Sequence, residues 1–342
     1  MSKQRLAVVA AAAMAALGVA ACGSSGGGST TGSGSASSSA SGGGHLRVGA
    51  LFLDAQGFYG GVRAGFEDAG KKAGVNLKLL SQNSASDASA ESSFLNTLVS
   101  ARVDAIVVSA TSQTASVPAI RQASQAGIPV VCYNTCVNQD AIKRYVFAYA
   151  LGDPVQFGAK IGDAAGKYFK SKGVTAPKIA VINCEFVEVC IQRRQGFTRA
   201  LKQQVPGAKI VANQRGETLD KAVPVAQNVL EAHPDIDAFW GEAGGASEGA
   251  VKAVQASGKT GKVVVFGSDM TTTLAKALKD NSILKADVDI SGKTMGETAF
   301  KLVEDAKAGR KPPEKVVPVR IDLYTTPEAG AKWLETHADG LP

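Results

Sequence analysis

The chain has 342 residues, of which 45% are hydrophobic; this is enough for a sizeable core and too long for one ordinary domain. Its 37 Lys and Arg exceed its 30 Asp and Glu, which gives a formal net charge of +7. Because the basic residues are scattered and form no run of five or more like charges, the sequence predicts no nucleic-acid partner.

Residues 1–21 have the pattern of a signal peptide. Lys3 and Arg5 precede an apolar run at 6–19 that is too short to span a bilayer comfortably. The small residues before Cys22 resemble a bacterial lipobox, which predicts cleavage before this cysteine and acylation of its thiol. Ordinary signal cleavage, with Cys22 incidental, is the alternative.

Residues 22–45 are predicted to form a lipid-anchored flexible linker. Positions 23–44 contain only Gly, Ser, Thr and Ala, and such side chains cannot bury the apolar area that folding needs. The sequence therefore predicts an extracytoplasmic protein, anchored to the cell membrane through Cys22 and able to reorient on its tether.

Apolar runs alternate with amphipathic stretches in the part of the chain that follows the linker. The predicted strands are 46–53, 75–80, 103–108 and 128–133. The predicted helices between them are 58–73, 88–101 and 115–126. Near-continuous apolar strands that alternate with helices indicate parallel β/α units, with helices covering both faces of the sheet.

The second half of the chain repeats the first. The motif Arg63-Ala-Gly65-Phe66 returns 131 positions later as Arg194-Gln-Gly196-Phe197. A repeat of this length predicts two similar lobes, rather than a solenoid of short units. We expect each lobe to be a doubly wound α/β sheet.

Four cysteines remain besides Cys22, namely Cys132, Cys136, Cys184 and Cys190. An even number in an exported chain favours two disulfides, for which three pairings are possible. The local pairing, 132–136 with 184–190, closes two short loops, and each bond stabilises the fold by about 2 kcal/mol. A bond between the lobes would instead join them and keep them from moving apart. A zinc site is the alternative, although C-x3-C and C-x5-C match no strong zinc pattern.

Five motifs, in this order and spacing, are similar to those of periplasmic binding proteins of the ribose-binding type, the type I sugar-binding components of ABC importers. They are Gly57-Phe58-Tyr59, Gly65-Phe66-Glu67, Gly127-Ile128-Pro129-Val130, Arg193-Arg194-Gln195-Gly196-Phe197 and Gly267-Ser268-Asp269. The resemblance covers roughly 46–325. It implies three crossing strands between an N-terminal lobe (46–152 plus 289–320) and a C-terminal lobe (153–288 plus 321–342).

Candidate ligand residues follow the predicted strands, because ligands of doubly wound sheets bind beyond the carboxyl ends of the strands. A sugar site needs carboxylates, amides, arginine and aromatic rings. The first-lobe candidates are Gln56, Phe58, Tyr59 and Asn134. Helix core is the alternative for the two aromatic residues, and a turn for the asparagine.

The candidates that follow in the chain are Arg193, Glu242, Asp269 and Asp289. The resemblance implies that Arg193 donates to sugar oxygens and that Asp269 accepts from the sugar. Arg194 points elsewhere on the same helix, and Asp287 shares a strand face with Asp289 and is the alternative to it.

The sequence also departs from the ribose-binding pattern. Asn134-Thr135 replaces an Asp-Arg pair, Gln56-Gly57 replaces Asn-Pro, and Ala243 stands where asparagine is common. The pocket is therefore expected to be less charged than in ribose-type members, and the resemblance does not identify the sugar.

We predict a monomeric substrate-binding lipoprotein that delivers a sugar or polyol to a membrane permease, with no catalysis, cofactor or metal. The alternative is a chemosensory or quorum-signal binding lipoprotein that uses the same cleft. A remote alternative is a serine hydrolase, because Gly245-Ala-Ser247-Glu-Gly249 matches G-x-S-x-G. Ser247 falls inside a predicted helix, however, and the one histidine after it is His337.

Overall fold

The structure is a computed structural model that describes residues 45–342, except 56 and 85–86. The predicted signal peptide, Cys22 and the linker up to residue 44 lie outside the described residues, and so does Gln56. The described residues fall within one compact unit.

The elements of the first half alternate regularly. They are β1 (Leu46–Phe52), α1 (Gly57–Lys72), β2 (Leu77–Asn83), α2 (Ala88–Ser100), β3 (Ala105–Val108), α3 (Val117–Gln125), β4 (Val130–Tyr133), α4 (Gln139–Tyr145) and β5 (Ala148–Leu151). The second half continues with α5 (Pro154–Ser171), β6 (Lys178–Asn183), α6 (Glu188–Gln204), β7 (Lys209–Arg215), α7 (Leu219–Ala232), β8 (Ala238–Gly241), α8 (Gly244–Ala256), β9 (Val264–Ser268), α9 (Thr272–Asp280) and β10 (Leu284–Asp289). The last elements are α10 (Gly292–Lys307), β11 (Val316–Pro318), β12 (Asp322–Tyr324) and α11 (Pro327–Thr336).

Two six-stranded sheets organise these elements into two lobes. The first sheet has the order β11-β5-β4-β3-β1-β2, and the second has the order β12-β10-β9-β8-β6-β7. All neighbouring strands are parallel except β10 and β12. The predicted fold class, two doubly wound parallel α/β lobes, is confirmed.

Helices cover both faces of each sheet. In the first lobe, α1 and α10 pack on one face, and α2, α3 and α4 pack on the other. In the second lobe, α5 and α6 pack on one face, and α7, α8, α9 and α11 lie on the other. Because both faces are buried, the central strands β3, β4 and β8 are apolar throughout, which is why such strands appear as continuous apolar runs in the sequence.

The chain passes between the sheets three times, after β5, after β10 and between β11 and β12. These crossings pack on one another: a side chain at Gly152 would overlap Ile290, and the Lys160 ammonium donates to the Ile321 carbonyl at 2.9 Å. The contacts place the crossings side by side, as a hinge between two lobes requires.

The residues after α11 contact helices of both lobes. Helix α11 packs on α9 of the second lobe, and Gly340 lies beside Thr272 at the start of α9. The Lys293 N–H of α10 then donates to the Pro342 oxygen at 2.9 Å, and its ammonium pairs with Asp339 at 2.8 Å. This segment therefore runs from the second lobe to the first.

Glycines let the paired helices of each lobe approach to backbone contact. A Cβ at Gly196 of α6 would overlap the Val155 carbonyl of α5, and a Cβ at Gly65 of α1 would overlap the Lys293 carbonyl of α10. These are the two glycines of the repeated Arg-x-Gly-Phe motif. The repeat therefore encodes the same close helix pair in both lobes.

We expect Gly158→Ala to destabilise the protein strongly. A Cβ there would collide with the Arg193 carbonyl, so α5 and α6 must separate, at a cost of about 1–3 kcal/mol or more. The matched control is Gly70→Ala in α1, whose new methyl would meet the movable side chains of Leu77 and Phe300 at 3.3 Å. Urea denaturation measures both variants, and equal losses of unfolding free energy would contradict this account of the helix pair.

Candidate functional site

The candidate ligand residues lie at the carboxyl ends of the strands in both lobes. Asn134 follows β4, Glu242 follows β8, Asp269 follows β9 and Asp289 ends β10. Phe58 and Tyr59 begin α1, and Arg193 lies in α6.

A hydrogen-bonded group forms the first-lobe side. The Asn134 side-chain amide donates to the Tyr59 hydroxyl at 3.1 Å, and that hydroxyl lies 3.3 Å from the hydroxyl of Ser109. The Tyr149 hydroxyl donates to the Asn134 carbonyl at 2.7 Å. Burial raises the pKa of Tyr59, so its hydroxyl stays protonated and can both donate and accept.

Phe58 belongs to the hydrophobic core more than to an open surface. Its ring is 9% exposed and packs edge-on against Tyr59, with ring centroids 5.1 Å apart. Tyr59 is only partly buried. The two aromatic residues thus differ, and Tyr59 offers the polar group at this position.

Arg193 organises the second-lobe side. Its guanidinium lies 4.0 Å from the centroid of the Phe157 ring, which is a cation–π arrangement. One terminal nitrogen, Nη1, donates to the Glu242 carbonyl at 2.9 Å and lies 3.7 Å from Oδ2 of Asp269. Its Nε has no hydrogen-bond partner among the described residues.

Arg194 points in a different direction from Arg193. It pairs with Glu185, and a third of its side chain is exposed, against 6% for Arg193. Adjacent helical residues differ by about 100° in direction, so the two arginines take separate roles.

Four carboxyl groups are buried at the ends of β8, β9 and β10. They belong to Glu242, Asp269, Asp287 and Asp289. Among the described residues, Oε1 of Glu242, Oδ1 of Asp269, Oδ1 of Asp289 and both oxygens of Asp287 have no hydrogen-bond partner. Buried acceptors without partners are costly, so these oxygens favour a ligand that donates hydrogen bonds.

Burial raises the pKa of each of these groups. The pKa of Glu242 rises to about 8, although the N–H of Cys184 bonds its other oxygen at 3.1 Å and lowers the pKa in part. Burial raises the pKa of Asp269 against the opposing effect of Arg193. For Asp287 and Asp289, burial and the neighbouring carboxyl groups act in the same direction.

Asn134 and Asp269 share an unusual backbone conformation. Their φ angles are +55° and +59°, in the left-handed region that non-glycine residues seldom adopt. Each is the first residue after a strand, β4 in one lobe and β9 in the other. Such strain is concentrated at functional sites, and Asn and Asp tolerate it better than most residues.

Two disulfides hold loops beside these groups. Cys132 is bonded to Cys136, and Cys184 is bonded to Cys190, with Cα atoms 5.5 and 5.6 Å apart. The first bond closes the loop that carries Asn134. Cys184, Cys190 and Glu242 lie within the span of a metal site, but the two sulfurs are bonded to each other and cannot act as thiolate ligands.

A cavity of about 290 Å³ is lined by residues of both lobes, and none of the described candidate ligand residues is among them. First-lobe residues Thr111, Thr135 and Tyr149 line one side, and second-lobe residues Glu185 and Gln192 line the other. Thr135 and Gln192 are chain neighbours of Asn134 and Arg193. A cavity of this size, with walls from both lobes, suits a small-molecule ligand.

The serine-hydrolase geometry is not formed. Strand β8 ends at Gly241, and Ser247 lies inside α8 with its side chain fully buried. Its hydroxyl donates to the carbonyls of Gly241 and Ala243 and accepts a hydrogen bond from the Ser268 N–H at 2.9 Å. The ring of His337 stacks on Trp333 at 4.3 Å. Both residues therefore have structural contacts.

Sequence reasoning missed several groups at the site. Ser109 directly follows β3, so the rule that selected Asn134 could also have found it. Tyr149 lies within β5, and Phe157 lies within α5; no motif pointed to either. The sequence offers Asp287 only as the alternative to Asp289, yet both are buried.

Residues 51–311 match the family of the periplasmic binding protein domain. The chain belongs to this family. The resemblance that the motifs suggested is thereby confirmed.

Relatives and solved structures agree with this membership. The chain is 52% identical over 297 residues to the ABC transporter periplasmic-binding protein YphF of Escherichia coli (strain K12), covering 87% of this chain and 91% of that protein. It is 25% identical over 270 residues to the ribose import binding protein RbsB of Bacillus subtilis (strain 168), covering 78% and 83%. A crystal structure of a galactofuranose binding protein shares the fold, with a TM-score of 0.79 at 22% identity and coverage of 86% and 99%.

We expect Glu242→Gln to weaken the pH dependence of stability. The pKa of Glu242 is raised from 4.5 to about 8, so the folded state binds its proton more tightly than the unfolded state does. The stability that this tighter proton binding contributes is fully present below about pH 4.5 and is lost as the pH rises through about 8. Glutamine mimics the protonated carboxyl group at every pH, so the variant should not lose this stability as the pH rises.

Urea denaturation of the ligand-free protein between pH 5 and 9 measures this effect. The unfolding free energy of the wild type should fall more steeply with pH than that of Glu242→Gln. Glu328→Gln, at an exposed position in α11, is the control and should follow the wild type. Identical curves for the wild type and Glu242→Gln would refute the assignment.

Proposed function

We propose that the protein is the substrate-binding component of an ABC importer, which captures a sugar or polyol between its lobes and delivers it to a membrane permease. Membership of the periplasmic binding protein family supports this function, as does the 52% identity to a protein named as an ABC transporter component. The relative named for ribose import supports a sugar as the ligand class.

One observation carries the proposal: Arg193 and the acidic side chains around it are buried, yet some of their hydrogen-bonding atoms have no partner among the described residues. The guanidinium keeps an unused N–H, and the surrounding carboxyl groups keep unused oxygens. A polyhydroxylated ligand supplies both donors and acceptors, so it can satisfy both kinds of group at once.

The ligand residues in this proposal come from both lobes. They are Gln56, Phe58, Tyr59 and Asn134 of the first lobe, Arg193, Glu242 and Asp269 of the second, and Asp289 at the crossing after β10. A ligand held from both sides makes more contacts when the lobes are closed. That difference in affinity shifts the population toward the closed form, which a permease can distinguish from the open form.

No chemical step is needed for this function. The hydroxyl of Ser247, the remote candidate nucleophile, donates to the Ala243 carbonyl and accepts from the Ser268 N–H. The family consists of transport components, and the protein would bind and release its ligand unchanged.

The proposal includes an extracytoplasmic location with a lipid anchor. Family membership supports the location, and none of the helices in the described part of the chain has the length and apolar character of a membrane span. Acylation of Cys22 would hold the protein at the membrane, and the Gly/Ser-rich segment after it would act as the tether.

Cys22→Ser should release the protein from the membrane, because serine cannot take the thioether-linked lipid. Fractionation of cells that express the variant would show the protein in the soluble or culture fraction, while the wild type stays with the membranes. Retention of the variant on the membrane would mean that Cys22 is not the anchor.

Arg193→Ala should weaken sugar binding by roughly 30-fold or more, because it leaves buried carboxyl groups without their cation. A thermal-shift screen of pentoses, hexoses, polyols and inositols first identifies a ligand, and calorimetry then compares the variants. Asp269→Asn, which keeps the shape of the side chain, should also weaken binding.

Arg194→Ala is the matched control, since this arginine pairs with Glu185 on a more exposed part of the helix. It should change the affinity by less than about threefold. Equal losses for the two arginine variants would show that the cleft does not depend on Arg193. If neither Arg193→Ala nor Asp269→Asn weakened binding, the ligand would lie elsewhere.

A further inference from the structure

Acidic groups outnumber basic groups in the cleft, whereas basic residues outnumber acidic ones in the whole chain. The whole chain carries +7. Among the described residues, Arg193 is the one buried cationic side chain, whereas Glu242, Asp269, Asp287 and Asp289 are all buried at the same edge of the second sheet. The site therefore holds three more acidic groups than basic ones, in a protein whose surface is basic.

Among the buried atoms of these residues that lack hydrogen-bond partners, acceptors outnumber donors. Five carboxyl oxygens of these four residues lack partners in the described structure, against one N–H, on Nε of Arg193. A hydroxyl group brings one donor and also acceptors that need partners of their own. An ammonium group brings three donors, no acceptor and a positive charge, so it supplies the donors that these carboxyl oxygens lack better than a hydroxyl group does.

The carboxyl groups of Asp269, Asp287 and Asp289 lie close together, and that of Asp269 also lies 3.7 Å from the Arg193 guanidinium. Asp287 and Asp289 are two residues apart on β10, so they share a face of the sheet. Asp289 accepts a backbone hydrogen bond from Met270, the residue after Asp269. Asp269 raises the pKa of both Asp287 and Asp289, and Asp289 raises the pKa of Asp287.

The position of Asp287 is built into the sheet. Asp287 is paired in register with Gly267 of β9, and a Cβ at Gly267 would overlap the Asp287 carboxylate. The glycine thus makes room for a carboxyl group with 0% exposure and two unpartnered oxygens. A buried acid without a partner is destabilising by itself, so a bound cation would relieve its cost.

We infer that the cleft selects a sugar or polyol that carries a protonated amine, such as an amino sugar or an aminocyclitol. The ammonium group binds beside Asp269, Asp287 and Asp289, and the hydroxyl groups bind to Arg193, Asn134 and Glu242. This inference rests on the proposed function and names the ligand class of the same site.

Matched pairs of ligands test the inference. The pairs are glucosamine with glucose, galactosamine with galactose, mannosamine with mannose, and scyllo-inosamine with scyllo-inositol, measured by thermal shift and then by calorimetry at pH 7. In the pair that binds, the amine should bind at least about tenfold more tightly than its neutral partner. The N-acetylated sugar, which keeps the nitrogen without the charge, should bind like the neutral partner or more weakly.

The variant Asp289→Asn keeps the size of the side chain and removes its charge. It should weaken binding of the amine at least about tenfold more than it weakens binding of the neutral partner. The matched control is Asp235→Asn in the same lobe, where the carboxylate is exposed and paired with Lys178. This control should leave both affinities unchanged.

The possible failures are distinguishable. A neutral sugar that binds as tightly as its amine, or binds when no amine does, overturns the inference and leaves the proposed function standing. An equal effect of Asp289→Asn on both members of a pair also overturns it. Failure of every amine and every neutral sugar to bind counts against the proposed function, and the inference falls with it.

Discussion

The site depends on the close contact between helices α5 and α6. Their glycines bring the two backbones together, and a Cβ at Gly158 would collide with the carbonyl of Arg193 itself. The same approach sets the Phe157 ring of α5 against the Arg193 guanidinium, 4.0 Å from the ring centroid. Packing thus holds the one buried cation of the described chain in a single orientation, facing Glu242 and Asp269.

The acidic groups around this arginine follow from the topology of the sheet. In a parallel sheet the strands β8, β9 and β10 all end at the same edge, so the residues that follow them are brought together although they are distant in sequence. The left-handed backbone at Asp269, and at Asn134 in the other lobe, turns each side chain at that edge. The disulfides then keep the adjacent loops short and fixed.

Much of this arrangement could be predicted from the sequence. Continuous apolar runs predicted β1 to β4 to within a few residues. Burial on both faces explains this for β3 and β4, whereas β2 is a partly exposed edge strand. The repeated Arg-x-Gly-Phe motif predicted two similar lobes, and the structure explains it as a glycine contact between paired helices. The family resemblance selected Arg193 over Arg194, and helical periodicity explains why these adjacent residues point in different directions.

Other features depend on contacts between distant segments, which a single sequence does not reveal. The antiparallel strand β12 is three residues long and carries no apolar pattern of its own. The burial of Asp287 depends on Gly267, which follows from strand register. The contacts of Asp339 and Pro342 with Lys293 join the end of the chain to a helix of the first lobe. Tyr149 donates to the Asn134 carbonyl, and Ser109 bonds the Tyr59 hydroxyl to which the Asn134 amide donates.

The central claim is that one ligand is held by groups of both lobes. A distance measurement by pulsed electron paramagnetic resonance tests it most directly, with spin labels at the exposed positions Arg121 of α3 and Lys252 of α8. Saturation with the sugar identified by the screen should shift the distribution of distances toward one shorter, narrower population. An unchanged distribution, with binding verified by calorimetry in the same sample, would contradict the account.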